Sequence, residues 1–87
     1  MNINHKQEQL IDEFLAKVKD KYPEIILKNL STSPDDPDHI WINVIADMDE
    51  DREMELLHFS ALIEADIDYD FGYRISIMPE NPNVVYS

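Results

Sequence analysis

No cysteine occurs among the 87 residues, which excludes a disulfide framework, a thiolate metal site and a thiol nucleophile. Glycine is almost as scarce. Gly72 stands alone, and one glycine cannot build a phosphate-cradling P-loop or the G-x-G-x-x-G turn of dinucleotide sites. No serine sits in a G-x-S-x-G elbow. No apolar run approaches the roughly 18 residues of a membrane span, and residues 1–6 lack the apolar segment of a secretory leader. The expectation is a soluble, cytoplasmic protein with no cofactor.

Bases are the second shortage, and a local one. Residues 1–30 balance five bases against five acids, whereas residues 31–87 hold only Arg52 and Arg74 against fourteen acids. The whole net charge of -12 therefore lies in the last two thirds. Such a field repels DNA, RNA and anionic lipid and attracts basic partners or cations. Direct nucleic-acid binding and membrane binding are not expected; a protein partner, and a basic one, is.

What remains is ordinary for a folded chain: 44% hydrophobic residues in periodic blocks, enough for one small core in a single domain over 1–87. Leu10, Ile11, Phe14, Leu15, Val18 and Tyr22 form one stripe of a helix over 5–21. Asn4 caps it with Gln7 at the third helical position, and Pro23 ends it. Residues 24–30 read as a strand, 31–39 as a polar loop, and 40–46 as the strongest strand, apolar on both faces and hence central. Residues 47–51 open a second helix with acids at its positive end. That helix carries two apolar stripes, Leu56, Phe59, Ile63 and Ile67 on one side and Met54, Leu57, Ala61 and Ala65 on the other. The second stripe faces either the first helix or a dimer partner. Residues 69–78 read as a third strand with Gly72 as a bulge; beyond Pro79 a tail over 81–87 frays or adds a short edge strand at 84–86.

The fold class is thus α+β in the order α-β-β-α-β, a small mixed three-stranded sheet with both helices on one face. The second and third strands run parallel through a right-handed crossover and the first two pair antiparallel. Trp41, Asn43, Arg74, Ser76 and Met78 are left on the open face as a half-polar docking surface.

Three acidic clusters are the candidate partner-binding residues. Asp47, Asp49 and Asp51 have the D-x-D-x-D start of a calcium loop, but Arg52 replaces its glycine and His58 its closing glutamate. Asp66, Asp68 and Asp70 fail the same test at Phe71 and Ile77. Asp35, Asp36 and Asp38 precede His39 in a loop that Pro34 and Pro37 make a rigid turn, where aspartates bond to nearby backbone N–H groups. No metal site is expected; Asp36 and Asp38 are the only candidates for one.

The succession of a helix ending in Lys21-Tyr22-Pro23, a strand, a polar loop, a strong strand over 40–46, an acid-capped helix and a closing Arg74-Ile75-Ser76-Ile77 strand resembles a minimal nucleotidyltransferase domain, over about residues 6–79. In that family a Gly-Ser pair follows the first strand and an Asp-x-Asp pair holds magnesium and the nucleotide. Here those places read Leu30-Ser31-Thr32-Ser33 and Asp36-Pro37-Asp38-His39, without the glycine and with the aspartates ahead of the strand, so the resemblance implies a degenerate domain that has lost catalysis. The residues themselves favour a non-enzymatic interaction or regulatory domain of antitoxin, immunity-protein or inhibitor type. The alternatives are the degenerate transferase with a divalent ion, and a structural homodimer.

Overall fold

The computed structural model describes residues 3–83, in the order α1 (His5–Lys21), β1 (Ile26–Thr32), β2 (His39–Ile45), α2 (Glu50–Phe71) and β3 (Arg74–Glu80). The Asn4 carboxamide accepts from the Gln7 N–H while the Gln7 side chain accepts from the Asn4 N–H, a reciprocal capping box that fixes the start of α1. The sheet order is β1-β2-β3, antiparallel then parallel. β2 is central, as its apolar residues on both faces imply.

Strict alternation builds the core. Ile40, Ile42 and Val44 of β2 and Ile75 and Ile77 of β3 point to one face, where they meet Leu10, Ile11, Phe14 and Val18 of α1 and Leu56 and Ile67 of α2. At about 25 cal/mol per Å² of apolar surface removed from water, this shared face is what keeps both helices on one side. The open face carries His39, Trp41 and Asn43 of β2 with Arg74, Ser76 and Met78 of β3. Its polar groups satisfy one another: Asn43 Nδ2 donates to Asn29 Oδ1 and Ser31 Oγ, each at 2.8 Å, and Lys28 Nζ reaches Glu80 at 2.9 Å.

Four expectations change. Residues 69–71 belong to α2, not to a strand, because Ile63, Ile67 and Phe71 continue the four-residue spacing; Gly72, at φ 73°, is the left-handed cap of that helix and not a bulge. The bulge lies in β1 instead, where Lys28 is the extra residue between the Leu27–Val44 and Asn29–Asn43 pairs. Pro79 sits inside β3 rather than ending it, tolerated because β3 is an edge strand. The second stripe of α2 does not meet α1: Met54 and Leu57 are exposed, and α1 packs on the side of Ile63 and Ile67. The edge strand considered at 84–86 lies outside the described residues.

Candidate functional site

The topology sorts the three acidic clusters between two ends of the molecule. β2 and β3 are parallel and start together, pairing His39 with Arg74. The loop before β2, the last turns of α2 and the start of α1 therefore share one end, where Asn4 Nδ2 donates to the Tyr73 hydroxyl at 3.1 Å. Asp35, Asp36 and Asp38 lie here with Asp66, Asp68 and Asp70. The third cluster, Asp47, Asp49 and Asp51, follows β2 at the opposite end.

That third cluster is explained by the fold. Asp49 caps α2, accepting from the Arg52 N–H at 2.8 Å, and Glu50, Asp51 and Glu53 fill the first turn at the positive end of the helix dipole. Asp47 Oδ1 accepts from Asn83 Nδ2 at 2.5 Å, and the buried Asn81 donates to the Met48 carbonyl at 2.7 Å. Glu24 and Arg52 form an ion pair between the end of α1 and the start of α2, with Arg52 also donating to the Lys21 carbonyl at 3.2 Å. Its hydrogen bond to Arg52 holds the Glu24 carboxyl below the usual range.

The loop aspartates serve its turn in part. Asp36 Oδ1 accepts from the Asp38 N–H at 3.0 Å and Asp36 Oδ2 from Arg74 at 3.0 Å, so both carboxylate oxygens are engaged. Among the described residues no group of three or more histidine, aspartate or glutamate side chains is placed to hold a metal ion. Asp35 and Asp38 project into water.

Asp66, Asp68 and Asp70 have no such explanation. All three are exposed, none forms an ion pair among the described residues, and the last turn of α2 contains no base. Negative charge at the negative end of a helix dipole is unfavourable by about 0.3 kcal/mol or more for each exposed group. Here a local rule of helix stability is broken with no ion pair among the described residues to offset it, although Lys17 of α1 lines the same pocket as Asp66 and Asp70; local rules are broken in this way where a surface serves something other than the fold.

Beside this end lies a cleft that pattern reading overlooked. It has a volume of about 170 Å³ between the C-terminal half of α2 and the β3 edge, lined by His39, Glu64, Ala65, Asp68, Arg74 and Ser76. His39 Nε2 and Ser76 Oγ lie 2.6 Å apart. Burial pushes the Glu64 carboxyl up, while its hydrogen bond from the Ser76 hydroxyl and the nearby His39 pull it back. Ser76 has one hydrogen. That hydrogen goes to the Glu64 carboxylate when His39 Nε2 carries its own proton, and to His39 Nε2 when it does not. Glu64 competes for the proton a base would take, and the His39 ring makes its side-chain hydrogen bond through Nε2 alone among the described residues, so the trio lacks the orienting third group of a nucleophilic triad.

Glu64, Ser76 and His39 stand 12 and 37 positions apart in the chain, so no spacing motif marks them. The one legible sign is Ser76 facing the same way as His39 in the strand alternation. Comparison with protein-family models, with curated proteins and with solved structures returns no match to this chain.

Proposed function

We propose that this domain is a non-enzymatic binder of a basic protein surface, a regulator of antitoxin, immunity-protein or inhibitor type, and that it meets its partner with the end formed by the 33–38 loop and the last turns of α2. The observation that carries this reading is the trio Asp66, Asp68 and Asp70, exposed, outside any ion pair and set against the dipole of their own helix. A cationic partner relieves that repulsion on binding, which couples association to charge and makes it fall with salt.

Partner capture at low salt and at about 0.5 M, where screening acts within ~4 Å, tests it. Wild type is expected to hold a basic protein that salt releases. Asp66→Asn/Asp70→Asn should lose that protein, and Glu50→Gln/Asp51→Asn, equal in charge at the other end, should keep it. No captured protein, or one indifferent to salt, refutes the reading.

The exposed stripe of Met54, Leu57, Ala61 and Ala65 supports a second reading, a homodimer through α2. Its check is the mass in solution against the 10.2 kDa of one chain.

A further inference from the structure

The basic-partner reading says which end of the molecule is used, but not which chemical group is recognised. Glu64 does. Its carboxylate is half-buried, forms no ion pair among the described residues, and has the Ser76 hydroxyl as its hydrogen-bonding neighbour. A carboxylate offers about four acceptor sites, of which the Ser76 hydroxyl takes one. Arg74 lines the cleft yet is tied to Asp36 at 3.0 Å. The volume of about 170 Å³ falls below the roughly 300 Å³ at which ordinary small-molecule sites begin. A cleft of this size takes the head of one side chain.

We infer that this cleft receives a single guanidinium group, the arginine side chain of the basic partner. The inference rests on the acidic-end reading above. Glu64 and Asp68 supply two carboxylates to the lining, Ser76 a hydroxyl oxygen, and Ala65 and Ile75 apolar surface. A guanidinium meets a carboxylate with two parallel N–H donors and is weakly hydrated, whereas an ammonium is a strongly hydrated point charge. Entry therefore favours arginine over lysine.

The charged and titratable groups facing Glu64 are Asp68 from α2 itself, His39 from β2 and Arg74 from β3, the last neutralised by Asp36 of the loop. A bound cation favours ionised Glu64, whose carboxyl burial holds above its ordinary value in the empty cleft. Binding in mildly acid solution thus releases a proton, and affinity rises with pH until Glu64 is ionised in the free protein.

The test is an amide-resolved NMR titration with N-acetyl-arginine-methylamide, with n-butylammonium as the lysine-like probe. Saturable shifts are expected at Ala65 and Ser76, with a Kd of about a millimolar for the isolated guanidinium that tightens as pH rises. Glu64→Gln should weaken binding at least about tenfold, the value of one charge-assisted bond. Ala65→Leu, which enlarges an exposed side chain in the cleft lining, should block it. Absence of a saturable shift in the wild type, equal binding by E64Q, or equal binding of the ammonium probe overturns the inference. The salt-sensitive capture above separates the two failures: if wild type and E64Q capture the same basic partner equally well, the cleft is refuted and the acidic end stands; if neither captures one, both fall.

Discussion

Two interior hydroxyls are without partners among the described residues. Tyr22 and Ser60 are each 1% exposed, and no described residue hydrogen-bonds Tyr22 Oη or Ser60 Oγ. The Tyr22 ring is well used: it stands edge-on to Phe59 at 5.9 Å, with the Arg52 guanidinium over it at 4.7 Å. Burial pushes its phenol pKa up, with Glu55 adding to the effect. An unpaired buried hydroxyl costs about 1–3 kcal/mol, so Tyr22→Phe and Ser60→Ala should each leave the fold intact and raise its stability by about 1 kcal/mol in urea unfolding. A loss of stability in either would mean that its hydroxyl is paired. Two glutamates give opposite pH signatures. Glu24 titrates below its ordinary value, so its stabilisation is present above that value and lost as pH falls through the folded pKa; Glu24→Gln should flatten the acid limb of the stability curve. Glu64 titrates above its ordinary value, so its favourable contribution exists at low pH and disappears as pH rises through the folded pKa. Relative to E64Q, wild type should lose stability across that interval and then level off.

At the scale of elements, α2 is built by two different rules. Its first turn follows the dipole, with Asp49 as cap and acids behind it; its last turn opposes the dipole. Asp68→Asn should therefore raise the stability of the domain by about 0.3 kcal/mol while weakening capture of the basic partner, and thermal unfolding beside the capture assay reads both. A substitution that improved both would show the C-terminal acids to be accidental. The same helix shows where sequence reading fails. α1 and β2 are legible because cap, periodicity and breaker agree in one and alternation is unbroken in the other. The end of α2 is not, because Tyr69, Phe71, Tyr73, Ile75 and Ile77 alternate like a strand across a boundary that Gly72 alone marks. The acidic residues were legible as clusters, yet only the parallel register of β2 and β3 divides them into a pair that shares one end and a third that caps a helix. Of His39, Glu64 and Ser76 only the common facing of His39 and Ser76 was legible, since the approach of Glu64 depends on how α2 lies over the edge of β3.

Seen as a whole, the molecule separates its duties along the sheet axis. One end is tied together by Glu24 with Arg52, Asp47 with Asn83 and Asn81 with the Met48 carbonyl; the other holds exposed aspartates and the Glu64 cleft. Among the described residues no helix is long and apolar enough to cross a membrane. The bulge in β1 bears on a different property, colloidal behaviour at high concentration. β1 is an edge strand, and Ile26 and Leu27 on it are exposed at 60% and 47%, the composition that recruits strands from neighbouring molecules into fibrils. Lys28 interrupts the ladder beside that pair and sets a charged stem across the open face to Glu80. Deleting Lys28 should straighten the edge and shorten the lag before thioflavin-positive fibrils form. One extra residue thus breaks the regular edge that a crowded neighbouring copy would need for pairing.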